Sequence, residues 1–450
     1  MSKESKISII GMGFVGLVTA SCFADRGFKV IGSTLDEEAV KLINQGLSPF
    51  YERELDPILK RAVQNGNLKA TLSNEEAVLN SDISFISVGT PMREDKSIDL
   101  SYIENSSKEI GRALKNKDSY HLVVDRSTVV PGTTRNIIGK NVETESGKIM
   151  GKNFGLCMQP EFLREGNSVY DTLHPNRIVI GELDKRSGDL LESVWKSFYG
   201  DAHIPLLRIN IESAEMVKYA NNCLLATKIS FANEISRICE ILPNMDIKQV
   251  MEGIGLDDRI SPKFLNAGAG FGGSCFPKDV NAILAFAREH HVNPKLLSTV
   301  LEVNDDQADH LVNLAENLVG DFKNKKISIL GLSFKPGTDD IREASSIRVI
   351  NELIKRGADR IIGYDPHVDG VTEKYLKKNI EYAQSAEEAL KDAECAFLIT
   401  EWDEFKSLTP EDFKRLMKTP NLIDGRRIYP YKQFHKELLF RAIGRNDNKK

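Results

Sequence analysis

The sequence predicts an α/β protein in which two parallel sheets flank a helical middle region. A short apolar run at 6–10 leads into a glycine turn, a helical pattern and a second strand pattern. The same order begins again at 326–331, and two long helical patterns, 212–242 and 294–319, lie between the two halves. Strands that alternate with helices indicate parallel sheets with crossover helices, so both halves are predicted to be Rossmann-like domains.

The first glycine turn contains Gly11, Gly13 and Gly16 in a G-x-G-x-x-G pattern between a strand pattern and a helical pattern. Glycines in this position allow a tight turn, and the helix N-terminus offers free N–H groups to a pyrophosphate. The pattern predicts a dinucleotide site. The alternative is a glycine turn that only packs the helix on the strand.

The second strand pattern ends without the usual carboxylate. Thr34 stands where an acid would hold the ribose hydroxyls, and the nearest carboxylate is Asp36. Without that carboxylate, a 2′-phosphate meets less repulsion. The sequence therefore leaves NADP open beside NAD.

Threonines follow two further strand patterns. Thr90 comes after the run 83–88, and Thr128 comes after the run 122–124. Ligands of open parallel sheets bind at the carboxyl ends of strands, so either hydroxyl is a candidate contact to cofactor or water. The alternative for each is a cap on the following helix.

Two carboxylates, Glu161 and Glu165, lie four residues apart in a segment that begins with Pro160. The segment is short and loop-like, which makes at least one of them a candidate for facing a site. A solvated ion pair with Arg164 is the alternative.

Lys218 and Asn222 interrupt the apolar middle of the helical pattern at 212–242. We expect this helix to be buried because it is apolar nearly all round. The two polar residues are four apart and share a face, and burying them is costly without partners. They are candidate site residues, with a structural ion pair as the alternative.

The stretch 268–279 contains four glycines within six residues, followed by Cys275, Lys278 and Asp279. Glycines at this density suit a backbone that bends tightly and approaches a ligand closely. We interpret Cys275 as a nucleophile whose thiolate a nearby cation favours. A buried apolar cysteine is the alternative.

The second α/β half lacks a full G-x-G-x-x-G pattern but carries the cations Lys335, Arg342 and Arg426 after its strand patterns. Cations at strand ends suit a phosphorylated ligand, although each alone is commonly a surface charge. The predicted domains are an N-terminal dinucleotide-binding domain at 1–210, a helical middle domain at 211–320 and a C-terminal domain at 321–450.

Composition limits the other functions. The 450 residues carry a formal net charge of −5 without a basic block, so a nucleic-acid partner is not expected. Six widely spaced cysteines argue against a zinc site or disulfide framework and favour a reducing compartment. With no long apolar run and no signal-like start, we expect a cytoplasmic protein without membrane contact.

Many ordered segments resemble the UDP-glucose/GDP-mannose dehydrogenase family of nucleotide-sugar 6-dehydrogenases. The segments that carry the resemblance are GMGFVGL at 11, VGTP at 88, STVVPGTT at 127, PEFLREG at 160, EMVKYANNCLLATKISFANE at 215, DDRISPKFL at 257, GAGFGGSCFPKD at 268, GLSFKPGTDDIRE at 331, TEWDEF at 400 and DGRRIY at 424. The resemblance spans residues 6 to about 429. This chain departs from the family at two positions: Thr34 stands where the family commonly has aspartate, and Arg126 stands where it usually has lysine.

The resemblance implies three sets of site residues. The implied catalytic residues are Cys275 as nucleophile, with Lys218, Asn222, Asp279, Glu161 and Thr128. The implied cofactor residues are Gly11, Gly13, Phe14, Val15, Gly16, Thr34, Thr90, Thr128, Glu165 and Arg342. The implied substrate residues are Phe162, Leu163, Lys218, Asn222, Arg259, Phe264, Phe271, Gly272, Lys335 and Arg426.

The resemblance also implies a reaction: NAD-dependent oxidation of UDP-glucose to UDP-glucuronate, in two steps, through a thiohemiacetal and a thioester on Cys275. It implies a homodimer or higher homo-oligomer, in which Arg259 reaches a neighbour's substrate, and a C-terminal domain that binds the UDP group. The open alternatives are a dehydrogenase of GDP-mannose or a UDP-N-acetylhexosamine, and a non-catalytic nucleotide-sugar sensor.

Overall fold

The computed structural model describes residues 5–368 and 380–446. These residues divide into two compact units. The first unit comprises 1–221 and 281–286, and the second comprises 222–280 and 287–450, each within the described residues.

The first unit is built on an eight-stranded sheet. Its strands are β1 Ile7–Ile10, β2 Val30–Ser33, β3 Leu68–Thr71, β4 Ile83–Ile86, β5 His121–Asp125, β6 Phe154–Met158, β7 Ile178–Glu182 and β8 Leu206–Asn210. The order across the sheet is β3-β2-β1-β4-β5-β6-β7-β8, and all neighbours are parallel except β6 and β7. The order reverses between β1 and β4, where open sheets of this type bind ligands at the strand ends. This confirms the predicted Rossmann-like half.

Helices cover both faces of this sheet, and every residue of its central strands β1 and β4 is buried. They are α1 Phe14–Asp25, α2 Glu37–Asn44, α3 Leu55–Gln64, α4 Asn74–Leu79, α5 Ser101–Lys115, a π-helical segment Thr134–Gly139, α6 Lys140–Ser146, α7 Ser168–Leu173 and α8 Lys185–Tyr199. Phe23 of α1 and Trp195 of α8 lie at the centre of this core, with ring centroids 5.0 Å apart.

The stretch of chain that connects the strands of the first sheet to those of the second is helical, as predicted. The helices are α9 Ile211–Cys239, α10 Ile247–Gly255, α11 Phe276–Glu289 and α12 Lys295–Val319. The boundary between the two compact units falls inside α9, so these helices do not form a third compact unit. The three domain bounds therefore stay a prediction.

The second unit contains a parallel sheet of six described strands in the order β11-β10-β9-β12-β13-β14. The strands are β9 Lys326–Leu330, β10 Arg360–Tyr364, β11 Glu381–Tyr382, β12 Cys395–Leu398, β13 Asn421–Asp424 and β14 Leu439–Ala442. The helices are α13 Ser345–Lys355, α14 Ala386–Leu390, α15 Asp403–Lys406, α16 Pro410–Leu416 and α17 Tyr431–Glu437. This sheet confirms the second Rossmann-like half.

The expectation that α9 is buried all round is wrong. Leu224, Phe231 and Ile238, spaced seven residues apart, are 62%, 45% and 50% exposed. Residues at this spacing share one face of a helix, so α9 presents an apolar stripe at its surface. None of the helices in the described residues combines the length and apolar composition that a membrane crossing requires.

Candidate active site

The glycine turn between β1 and α1 requires residues without side chains. Gly11 has φ +95°, and a Cβ there would lie 2.7 Å from the Ser87 carbonyl oxygen. A Cβ on Gly16 would collide with the Gly11 carbonyl. Gly13 is the N-cap of α1, and the first turn of that helix carries no acidic residue. The helix therefore presents N–H groups and a positive dipole end, which fit a pyrophosphate.

Thr34 follows the last residue of β2, where the ribose-binding acid was expected. The neighbouring carboxylate, Asp36, caps α2 by accepting hydrogen bonds from the Glu38 and Ala39 amides at 2.9 and 3.1 Å. The Asp36 carboxylate is thus bonded to the backbone of α2, and the side chain directly after β2 is the Thr34 hydroxyl.

Thr90 and Thr128 join the loops that follow β4 and β5. The Thr90 hydroxyl donates to the Thr128 carbonyl oxygen at 2.9 Å, and the Ser127 hydroxyl donates to the Val88 carbonyl oxygen at 2.9 Å. Neither threonine is the N-cap of the next helix, which begins after Thr133 or Leu100. The capping alternative is therefore wrong, and a ligand role for either hydroxyl stays a prediction.

Glu161 and Lys218 form a buried ion pair. The Lys218 ammonium donates to the Glu161 carboxylate at 2.7 Å and to the Glu161 carbonyl oxygen at 2.8 Å. Glu161 is 8% exposed and Lys218 is 4% exposed. Burial alone would raise the pKa of the Glu161 carboxyl, but the Lys218 charge and hydrogen bond outweigh it and hold this pKa below its ordinary value. The pair thus joins two predicted site residues.

The residues after Glu161 are organised around Phe162. The Arg177 guanidinium lies 3.8 Å from the centre of the Phe162 ring, and it donates to the Asn221 amide oxygen at 2.8 Å. The Leu163 amide donates to the Glu161 carboxylate at 2.6 Å, and Glu165 is half-buried. Arg177 was missed from the sequence, since nothing local links a cation before β7 to this loop.

In the second unit, the glycine-rich loop 268–273 is held by buried amides. The Asn304 side chain accepts from the Phe271 amide at 2.7 Å and donates to the Phe271 carbonyl oxygen at 3.1 Å. Gln307 donates to the Gly268 carbonyl oxygen at 2.8 Å, and Asn233 accepts from the Gly268 amide at 2.8 Å. Sequence reasoning missed these three residues, whose helices are distant from the loop in the chain.

The glycines of this loop allow close packing rather than flexibility. Gly270 has φ +93°, and a Cβ there would lie 2.7 Å from the Asn304 amide oxygen. Gly273 has φ +84°, and a Cβ there would lie 2.7 Å from the Phe334 ring. A Cβ on Gly272 would collide with the Glu343 carbonyl oxygen. A side chain at any of these positions would displace the backbone that leads to Cys275.

Cys275 lies directly before α11 and is exposed, whereas the other five cysteines, all in described residues, are buried. Burial raises the pKa of Cys22, Cys223 and Cys395 to about 12, which makes them unreactive thiols. A thiol at a helix N-terminus is stabilised as thiolate by the helix dipole. The buried-cysteine alternative is therefore wrong for Cys275.

Asp279 is buried one turn into α11 and is bonded on both carboxylate oxygens. The Asn222 amide donates to it at 2.6 Å, and the Lys278 ammonium donates to it at 2.6 Å. Lys278 is thus paired with a carboxylate, and whether a cation favours the Cys275 thiolate stays a prediction. Asn222 and Asp279 are two predicted catalytic residues that the fold brings together.

The predicted phosphate-binding cations have different surroundings. The Lys335 ammonium lies 5.3 Å from the Phe334 ring centre, and Arg342 is paired with Asp340. Arg426 donates to the Ile399 carbonyl oxygen at 2.5 Å. Arg259 is paired with Asp257, and its side chain is exposed. Their roles stay predictions.

Arg426 also lines a cavity of about 310 Å³ in the second unit. The other lining residues are Ile247, Lys248, Met251, Glu252, Pro262, Leu265, Asn266, Ala267 and Arg427. Apolar walls with an amide, a carboxylate and three cations suit a planar, polar-edged group attached to phosphate. Phe264 and Phe271, two further predicted substrate residues, both pack near Phe276, with ring centroids 6.2 and 6.0 Å away.

Family comparisons identify the class of protein. Residues 5–199 match the NAD binding domain of the UDP-glucose/GDP-mannose dehydrogenase family, 212–306 match its central domain and 328–431 match its UDP binding domain. The chain therefore belongs to the UDP-glucose/GDP-mannose dehydrogenase family. NAD is its cofactor, and the glycine turn before α1 provides the cradle that this group requires.

Individual relatives cover nearly the whole chain. A UDP-glucose 6-dehydrogenase of Haloferax volcanii is 42% identical over 425 residues, which cover 94% of this chain and 97% of that protein. A GDP-mannose 6-dehydrogenase of Pseudomonas aeruginosa is 40% identical over 387 residues, 84% of this chain and 86% of that protein. The solved UDP-glucose dehydrogenase of Pyrobaculum islandicum matches with TM-score 0.90 and 35% identity, covering 98% of both chains.

The buried ion pair gives a first prediction. Lys218→Met leaves the Glu161 charge without its direct partner and should lower the free energy of unfolding by about 3–5 kcal/mol. The double variant Lys218→Met/Glu161→Gln should lose clearly less than the sum of the single losses. Urea unfolding followed by Trp195 fluorescence, in a Trp402→Phe background, measures this.

The exposed pair between Arg61 and Asp25, 3.0 Å apart, is the matched control. Arg61→Met should cost less than about 1 kcal/mol, because water screens an exposed pair. Additive losses for Lys218 and Glu161 would contradict the paired arrangement.

Proposed function

We propose that this protein oxidises the C6 alcohol of UDP-glucose to the carboxylate of UDP-glucuronate. The observation that carries the proposal is the exposed Cys275 thiol at the N-terminus of α11, held by a loop whose glycines cannot be replaced without collision. The names of the relatives from Haloferax volcanii and Pyrobaculum islandicum support UDP-glucose as the substrate.

The first oxidation needs a base for the hydroxyl proton and a cation for the developing oxyanion. When bound, NAD accepts the hydride that leaves C6 in each oxidation. We assign the oxyanion to the Lys218 ammonium, because this buried cation is already held in place by Glu161. The Asn222 amide assists it and is itself oriented by Asp279 at 2.6 Å.

The second oxidation needs a tetrahedral carbon, because an aldehyde hydrogen does not leave readily as hydride from a planar carbonyl. The Cys275 thiolate adds to the aldehyde carbon and forms a thiohemiacetal. Loss of a hydride and the hydroxyl proton converts it to a thioester. The helix dipole at the N-terminus of α11 favours the thiolate that this addition requires.

Water then breaks the thioester and returns the thiol. Glu161 is our candidate base for this water, and Thr128 is our candidate for positioning it. The lowered pKa of Glu161 keeps its carboxyl ionised and able to accept a proton. The acid product leaves with the oxygen of that water.

The nucleotide end of the substrate is assigned to the second unit. Lys335 and Arg426 supply positive charge for the diphosphate, and the cavity beside Arg426 suits the base. Asn266 in its lining offers both a donor and an acceptor to a base edge. Such contacts decide between UDP and GDP sugars.

Replacing the nucleophile gives a second prediction. Cys275→Ser should lower acid production from UDP-glucose at least about a hundredfold, because a serine hydroxyl stays protonated near neutral pH and is a poor nucleophile. NAD binding, measured by calorimetry, should be retained. Cys239→Ala removes a buried thiol from the same unit and should keep the wild-type rate.

A serine variant with near-normal acid production would exclude the covalent route. The same assay with GDP-mannose and UDP-N-acetylhexosamines tests the substrate. If the protein oxidises one of these nucleotide sugars but not UDP-glucose, that sugar is the substrate. If it oxidises none of them, the non-catalytic sensor is favoured.

We also propose a homodimer that pairs through the apolar stripe of α9, formed by Leu224, Phe231 and Ile238. Seven-residue spacing suits helix pairing, and burying this stripe removes three large apolar side chains from water. The exposed Arg259 side chain would then serve the neighbour's substrate. The five buried cysteines, all in described residues, form no disulfide, which supports a cytoplasmic location.

The dimer gives a third prediction. Light scattering during gel filtration should give twice the chain mass of 50.3 kDa for the wild type and one chain mass for Phe231→Asp, because a charge cannot be buried in the stripe. Ile149→Asp, at a residue 56% exposed outside the stripe, should stay dimeric. A monomeric wild type, or a dimeric Phe231→Asp, would contradict the proposal.

A further inference from the structure

Arg126 is a charged residue buried deep in the first unit. It is 5% exposed and follows β5 directly. Its guanidinium donates to the Gln159 amide oxygen and lies 5.7 Å from the Trp195 ring. The Nε–H group has no hydrogen-bond partner within the described part of the chain. A buried, partly unsatisfied cation is costly, so stability alone does not account for it.

Glu161 is the anionic group that faces Arg126. Tyr199 of α8 and Cys22 of α1 also interact with the guanidinium, but burial raises the pKa of both groups far above neutral pH, so both are uncharged. Glu161 in turn faces two cations, Lys218 of α9 and Arg126. Arg126 therefore supplies a second positive charge to a carboxylate that already has one partner.

The backbone links Arg126 to Glu161 as well. The Arg126 amide donates to the Ile86 carbonyl oxygen at 2.9 Å, and the Gln159 amide donates to the Asp125 carbonyl oxygen at 2.7 Å. With the side-chain bond to Gln159, these contacts fasten the ends of β4, β5 and β6 together. Glu161 lies two residues beyond Gln159, so its position depends on the hydrogen bonds that hold Gln159 to Arg126 and Asp125.

We propose that Arg126 is a positioning residue for Glu161: it fixes the strand end from which this carboxylate projects and supplies a charge that keeps it ionised during turnover. The inference rests on the proposed role of Glu161 as the base of thioester hydrolysis. Lys218 alone does not fill this role, because in the proposed mechanism its single charge is shared between Glu161 and the substrate oxyanion. Arg126 is buried, and no step of the proposed mechanism draws its charge away from Glu161.

The test compares Arg126→Gln, which is neutral and can still donate to Gln159, with Arg126→Lys, which keeps the charge. Because the base must be ionised, kcat falls as pH falls through the pKa of Glu161. Loss of the Arg126 charge should raise this pKa and move the acidic limb of the kcat profile upward by about one pH unit. Arg126→Lys should keep the wild-type limb. Gln159→Met, which keeps the charge but loses the hydrogen bond, should keep the wild-type limb but lower kcat at every pH, because the position of Glu161 depends on that bond.

A double-mutant cycle between Arg126→Gln and Glu161→Gln, read by unfolding at pH 7, measures the same interaction without turnover. We expect the double variant to lose less stability than the sum of the single losses. The inference would be overturned if the acidic limb of the kcat profile were unchanged in Arg126→Gln or shifted equally in Arg126→Lys. Additive losses of stability in the double-mutant cycle would overturn it too. A wild type that makes no acid while the cycle shows coupling would instead overturn the proposed role of Glu161.

Discussion

The position of the candidate nucleophile, Cys275, depends on the close packing of the glycine-rich loop 268–273 against its neighbours. The loop 268–273 lies against Asn304 and the Phe334 ring, at distances that a Cβ atom would violate. Buried amides of α9 and α12 bond its N–H and carbonyl groups, so the loop is fixed although it is rich in glycine. A fixed loop sets where α11 begins, and therefore where the Cys275 thiol lies.

Each unit contains a buried carboxylate that is paired with a lysine. The buried carboxylates Glu161 and Asp279 each have a lysine partner, at 2.7 and 2.6 Å. Each is also tied to a second polar group, since Glu161 accepts from the Leu163 amide and Asp279 accepts from the Asn222 amide. Such pairs cost desolvation and add little net stability, but they hold charged groups in fixed positions, as oxyanion stabilisation and base catalysis require.

The sequence predicted features that local signals specify. Apolar runs with intervening glycines placed both parallel sheets, and the glycine patterns placed the turns before α1 and α11, because strand periodicity and glycine geometry are local properties. Arg177, Asn304 and Gln307 were missed because their partners are distant in the chain. The bond from Lys278 to Asp279 was also missed, because a pattern of neighbouring residues does not show which of them a side chain contacts. The burial of α9 was misjudged because composition alone does not show which face of an apolar helix the rest of the chain covers.

The stoichiometry of cofactor reduction tests the central claim most directly. Purified protein is given limiting UDP-glucose with excess NAD, and absorbance at 340 nm is followed to completion. The account predicts two molecules of NADH for each UDP-glucose and UDP-glucuronate as the sole sugar product. One NADH for each UDP-glucose, with a released aldehyde, would contradict the proposed thioester on Cys275.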